Sequence, residues 1–113
     1  MNKYEVLNKY YGYNSFRNNQ EEIIDSLLEG NDTIAILATG GGKSICFQIP
    51  ALMSDGLTIV ITPLISLMQN QVDELKKRKI PSEYITSDMD FFKINDVING
   101  VINNEIKLLY ISP

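Results

Sequence analysis

The short β-branched run Thr33-Ile34-Ala35-Ile36-Leu37 leads, after two residues, into three glycines, a lysine and a serine, Gly40-Gly41-Gly42-Lys43-Ser44. A strand buried on both faces, a glycine-rich turn and then a helix form an order that few folds accommodate. Glycines let the backbone curl so that successive N–H groups converge on one point. A helix beginning there aims its positive end at the same point. Phosphate oxygens are the ligand such a turn suits. The other reading is a glycine-rich connection with a solvated lysine.

The remainder of the chain repeats the alternation. Tyr4, Leu7, Tyr10 and Tyr11 recur at helical spacing, and Gly12 ends that helix. Asn18 with Glu21 three residues on is a capping-box-like start for a second helix, whose stripe Ile23, Ile24, Leu27 and Leu28 closes at Gly30. A helix is expected from Lys43 to about Met53, a second buried strand over Leu57–Ile61, and a helix from Leu64 to Lys79. A short strand over Glu83–Thr86, a helix through Phe91, Ile94, Ile98 and Val101 weakened by Gly100, and a strand over Lys107–Ile111 complete the set. Strands alternating with helices predict an α/β fold with a parallel sheet flanked by helices and right-handed crossovers. A last strand with nothing after it belongs at a sheet edge, or the chain is incomplete. No repeat, low-complexity tract or linker interrupts the sequence. By its motifs it divides into a helical segment, 1–30, and an α/β segment, 31–113.

Composition narrows the chemistry. With no histidine and only Cys46, neither a His triad nor a thiolate zinc cluster can be built within this sequence. Ten basic against fourteen acidic residues give a net charge of −4, unlike a domain that coats nucleic acid. No apolar run approaches a membrane span, and residues 1–15 lack a signal peptide's apolar stretch, so a cytoplasmic, non-membrane setting is expected. Cys46 reads as a small buried hydrophobe. The basic run Lys76-Lys77-Arg78-Lys79 reads as the solvated last turn of a helix, where cations complement the dipole.

Within the glycine loop, Lys43 would place a point charge on β- and γ-phosphates, and the Ser44 hydroxyl would take a Mg2+ coordination position. The strict pattern G-x-x-x-x-G-K-[ST] is not met, since Leu37 stands at its first position. Upstream, Tyr11-Gly12-Tyr13, Phe16-Arg17 and Gln20 lie where a base could be read. Rings and a guanidinium suit a nucleobase's faces, and a glutamine amide can bond adenine's N6/N7 edge in bidentate fashion. On spacing alone, Tyr13 and Phe16 serve equally as core anchors and Gln20 as an exposed first-turn residue.

Three stretches together resemble the RecQ family of ATP-dependent DNA helicases in superfamily 2. They are Tyr-Gly-Tyr-x-x-Phe-Arg-x-x-Gln at 11–20, Thr-Gly-Gly-Gly-Lys-Ser-Ile-Cys-Phe-Gln-Ile-Pro-Ala-Leu at 39–52, and Thr-Ile-Val-Ile-Thr-Pro-Leu-Ile-Ser-Leu-Met-Gln-Asn-Gln-Val at 58–72. They stand in the family's order, and Lys107–Pro113 resembles the strand before its next loop. Ala38, Thr62 and Asn70 depart from the family's usual proline, serine and aspartate.

The resemblance implies part of a RecA-like P-loop NTPase domain binding ATP and Mg2+. It implies that Tyr13 and Arg17 flank adenine, that Gln20 reads its edge, and that Thr39, Gly40, Gly41, Gly42, Lys43 and Ser44 hold the phosphates. Lys43 and Ser44 are then the groups acting at the reacting phosphate, with Ser44 on Mg2+. It further implies that Thr62, Pro63, Leu64, Ser66 and Gln71 face single-stranded or partly duplex DNA, with Leu64, Leu67 and Met68 also expected in the core. DNA repair and recombination are the processes it suggests, with 3′-to-5′ unwinding.

Hydrolysis also needs an acidic residue at a buried strand end. The family's Asp-Glu-x-His motif and its second motor domain do not occur in these residues. The expectation is therefore an amino-terminal helicase segment that depends on the rest of its chain and neither hydrolyses ATP at a useful rate nor unwinds DNA by itself. A stand-alone, non-catalytic nucleotide-binding or interaction module is the alternative. A small nucleotide kinase fits less well, because no arginine-rich lid is present.

Overall fold

The computed structural model describes residues 1–17, 19–37 and 42–113. The chain divides into two compact units, Met1–Asp55 and Gly56–Pro113.

The first unit is helical. Helices α1 (Lys3–Tyr11), α2 (Gln20–Leu28) and α3 (Lys43–Met53) follow the apolar spacing of the sequence. The Asn2 side chain caps α1 by accepting from the Glu5 N–H at 2.9 Å, and Gly12 ends it. Asn19 stands at the start of α2 without a side-chain cap, and the capping-box expectation for Asn18 lies outside the described residues. Val6, Leu7, Ile24 and Ile49 form the core, with Phe16 and Ile45 packed against it. Each such side chain removed from water stabilises the unit by about 1.5–3 kcal/mol. Lys3 ties α1 to α2, reaching Asp25 at 2.5 Å and Glu21 at 2.7 Å. Asp25 first, then Glu21, raise the Lys3 ammonium well above its ordinary range. The hydrogen bonds from Lys3 and then Tyr4 hold the Glu21 carboxylate below its own.

One expected element is missing from this unit. Residues 31–37 carry no regular secondary structure, and Ile34 and Ile36 are 95% and 93% exposed. Apolar, β-branched sequence favours a strand only where a partner backbone takes its N–H and C=O groups. The described part of this unit offers helices alone.

The second unit is a three-stranded parallel sheet with helices. Strands β1 (Thr58–Ile61), β2 (Ser82–Ile85) and β3 (Leu108–Ile111) lie in the order β1-β3-β2, with α4 (Ile65–Lys77) and α5 (Phe91–Ile102) in the connections. The last strand is therefore central, contrary to its expected place at an edge. Each β-α-β connection steps past or back to a neighbour, and the apolar Leu108-Leu109-Tyr110 run occupies the position covered on both sides. The second strand was expected to be buried. As an edge strand, β1 instead alternates, with Ile59 and Ile61 exposed. Met68, Val72 and Leu75 of α4, Val97 of α5 and Ile80 complete the core.

Both helices end in the same device. Lys79, at φ 66°, follows α4, where its N–H reaches the Lys76 carbonyl (3.0 Å) and the Ile80 N–H reaches Leu75 (2.9 Å). Asn104, at φ 58°, follows α5 in the same way, with Glu105 N–H on the Gly100 carbonyl at 2.8 Å. Gly100 itself is a close-packing site as well as a weak helix former, since a Cβ there would meet Ile106 Cδ1 at 2.9 Å.

Candidate functional site

The two upstream motifs meet in the first unit. The chain leaves α1 through Gly12, bends at Asn14 and Ser15 between Tyr13 and Arg17, and begins α2 at Gln20, which packing turns inward to 2% exposure. The alternative of an exposed first-turn glutamine is thereby removed. The Gln20 Oε1 accepts from the Arg17 N–H at 2.8 Å, and its Nε2 donates to the Gly42 carbonyl at 3.0 Å. One buried amide thus ties the aromatic segment to the glycine loop.

Gly42 closes the other side. It precedes α3 with φ 74°, and a Cβ there would collide with Gln20 Nε2 and stand 3.4 Å from Arg17 Nη2. Only glycine fits both the conformation and the space. Among the described residues no side chain caps α3, and the start of such a helix suits an anionic ligand. Lys43 is exposed at the first position of the helix and Ser44 half-buried at the second. Between these walls lies a cavity of about 390 Å3, lined by Leu7, Tyr13, Arg17, Gln20, Gly42 and Ser44 among others.

The cavity brings together an exposed tyrosine ring, a buried amide in its wall, and a guanidinium that reaches the start of α3. Such a site can hold a flat heterocycle carrying anionic groups. Thr39, Gly40 and Gly41 lie outside the described residues. Phe16 does not line the cavity. It packs on the core, with its ring 5.7 Å from that of Tyr4. Asn14 and Ser15 also line it and stand at unspecified positions of the 11–20 pattern, and Ile45 of the 39–52 stretch lines it as well as packing on the core. Cys46 is buried, which pushes its thiol pKa up, as suits a hydrophobe.

In the second unit, β1 runs into Thr62, whose N–H donates to the Ile111 carbonyl at 3.1 Å. Thr62 Oγ1 accepts from the Leu64 N–H at 3.3 Å, and α4 then begins without a side-chain cap. Pro63, Leu64 and Ser66 are exposed around that start. Leu64 and Leu67, expected in the core, are 58% and 43% exposed, and only Met68 of the three is buried. Gln71 is half-buried, and its Oε1 accepts from the Tyr110 hydroxyl at 2.6 Å. Five residues separate Ser66 from Gln71, about 140° around a helix, so the two occupy different sides of α4. The basic run ends α4 as expected, with Lys76 paired to Glu83 at 2.9 Å and Lys77 to Glu74 at 3.4 Å. No group of three or more acidic, cysteine or histidine side chains forms a metal cage among the described residues.

The family model for DEAD/DEAH box helicases matches residues 17–113. The chain belongs to the DEAD/DEAH box helicase family. The parallel sheet flanked by helices accords with the RecA-like fold of these helicase domains. The chain is 50% identical over 109 residues to the ATP-dependent DNA helicase RecQ of Pasteurella multocida, covering 96% of the chain and 17% of that protein. It is 49% identical over 109 residues to RecQ of Bacillus subtilis, covering 96% and 18%. It is 40% identical over 111 residues to the RecQ-like DNA helicase BLM of Xenopus laevis, covering 96% and 8%. The chain thus spans less than a fifth of the length of these three helicases. No described helix is long and apolar enough to cross a membrane.

Proposed function

We propose that this chain is the nucleotide-binding amino-terminal segment of a RecQ-like, ATP-dependent 3′-to-5′ DNA helicase, and that the cavity between Tyr13 and Ser44 takes Mg·ATP. The observation that carries this reading is the Gln20 latch, which holds the aromatic-Arg-Gln segment and the start of α3 on one cavity. Tyr13 and Arg17 bracket the adenine faces, and the Gln20 amide reads its edge. The N–H groups from Thr39 through Ser44 surround the phosphates, and Lys43 sets its charge against them. ATP supplies the phosphoanhydride whose cleavage drives movement.

The residues present fit Mg2+ carried in on the nucleotide. Ser44 offers a hydroxyl at the cavity wall, and Mg2+ favours such sparse protein ligation completed by phosphate and water. The loop Thr62-Pro63-Leu64 with Ser66 meets the backbone of single-stranded DNA at the start of α4, where uncapped N–H groups bind phosphate without net positive charge, and Gln71 meets it from another side of that helix. The helicase chain's second motor domain completes the cleft, and the protein works associated with DNA.

Thermal melts with and without Mg·ATP test the nucleotide site. Ligand bound only to the native state raises the midpoint, by about 2.7 kcal/mol of stability at a hundredfold excess over Kd. The expected upward shift is absent in Lys43→Ala. A wild-type melt indifferent to Mg·ATP, or a shift that survives Lys43→Ala unchanged, would overturn the reading.

A further inference from the structure

Gln71 is the one residue of the proposed DNA-facing set whose side chain is held from beneath. Its partner, Tyr110, lies on the central strand β3, 1% exposed, in register between Val60 of β1 and Tyr84 of β2. Thirty-nine residues separate the two in sequence, and the Tyr110 hydroxyl donates to Gln71 Oε1 at 2.6 Å. On α4, Gln71 borders the buried stripe of Met68, Val72 and Leu75 and follows the exposed Leu67 by one turn. A primary amide has an acceptor end and a donor end, and a surface glutamine flips readily between them. Here the Tyr110 hydroxyl, fixed in the core, donates to Oε1 and holds the amide in one of its two senses. With Oε1 engaged by the sheet's Tyr110, the donor end Nε2, with two N–H groups, is the end the amide offers to a ligand.

We propose that Tyr110 is a positioning residue for DNA binding: it orients the Gln71 amide so that α4 presents a donor, and not an acceptor, to the phosphate oxygens of single-stranded DNA. This inference rests on the DNA-facing reading of Gln71 given above. An amide carbonyl turned toward a phosphate repels it, whereas an N–H donor to that charged group is among the stronger hydrogen bonds. The phenol is suited to the task because its ring is locked by packing on the central strand, so the hydroxyl cannot follow the glutamine if it swings away.

The test is a double-mutant cycle on the full 113-residue chain. Binding of a fluorescein-labelled oligo-dT is followed by anisotropy at low salt for wild type, Gln71→Ala, Tyr110→Phe and the double variant. Loss of the donor in Gln71→Ala weakens binding about tenfold or more, and loss of orientation in Tyr110→Phe about threefold to tenfold. In the double variant the two effects do not multiply, and binding matches that of Gln71→Ala. A general loss of packing would weaken both backgrounds equally. In the wild type, the Gln71 side-chain amide resonances shift on adding DNA, a readout independent of any variant.

If Gln71→Ala weakens binding while Tyr110→Phe does not, or if the effects multiply, the positioning role is overturned and the DNA-facing reading stands. Unmoved Gln71 amide resonances, or a Gln71→Ala variant that binds like wild type, overturn both.

Discussion

Replacing Gly42 by alanine separates two costs that glycine avoids. The first is conformational. An L residue at φ 74° loses roughly 1–2 kcal/mol to the clash of its Cβ with its own backbone. The second is specific to this site, because the new Cβ would collide with the Gln20 amide nitrogen. Gln20 must withdraw, which forfeits its bond to the Gly42 carbonyl and leaves a buried amide group short of a partner at about 1–3 kcal/mol. The total is about 2–5 kcal/mol. Gly30 supplies the control, since at φ 86° a Cβ there meets nothing within 4 Å. Gly30→Ala therefore carries the conformational cost alone. Urea denaturation followed by circular dichroism compares the two, with each substitution repeated in a Gln20→Ala background. Removing the amide makes room for the Cβ, so the extra cost of Gly42→Ala over Gly30→Ala disappears there. Equal destabilisation by the two substitutions in the wild type, or an excess cost that Gln20→Ala leaves intact, would refute the latch.

Three further outcomes follow from local structure. Lys79→Gly relieves a left-handed L residue at the end of α4 and raises the urea midpoint by a net stabilisation of about 0.5–1 kcal/mol, after the entropy of the added glycine is subtracted. Asp90→Ala removes the oxygen that accepts from the Lys93 N–H at 2.8 Å and lowers stability by about 1 kcal/mol, read from the same curves. Stability of the first unit depends on pH through Lys3 and Glu21. The lowered Glu21 pKa contributes stability that is present above the ordinary glutamate value of 4.5 and is lost as pH falls through the lower folded value. The raised Lys3 pKa contributes stability that is intact below 10.5 and is lost only at strongly alkaline pH. Lys3→Met flattens both limbs of the profile, and an unchanged acid limb would contradict the pairing.

Much of this chain was legible because its helices announce themselves locally. The limits of α3 follow from the end of the glycine cluster at Gly42 and the Ile45–Met53 apolar run, and both signals lie within the helix and its flanks. The last turn of α4, with Lys76 and Lys77, follows from charge and dipole in the same local way. Pairing is not local. The run 33–37 has the composition of a buried strand, yet composition does not supply a neighbour's hydrogen bonds. The unbroken apolar run Leu108-Leu109-Tyr110 suits a covered strand, but its place between β1 and β2 depends on how the connections cross, which spacing does not encode. At the site, the resemblance to the RecQ family, and not residue type or spacing alone, grouped Tyr13, Arg17, Gln20, Gly42 and Ser44, and all five line one cavity. The inward turn of Gln20, and Tyr110 beneath Gln71, depend on contacts spanning 22 and 39 residues and carry no signature in spacing.

The central claim is that one cavity in the first unit binds an adenine nucleotide. Titration of the isotopically labelled chain with Mg·ATP, read by amide NMR, tests it most directly. Shifts concentrated at Tyr13, Arg17, Gln20, Gly42, Lys43 and Ser44, and weaker with Mg·GTP at equal concentration, are the predicted result. Shifts absent from these residues, or identical for the two bases, would contradict it.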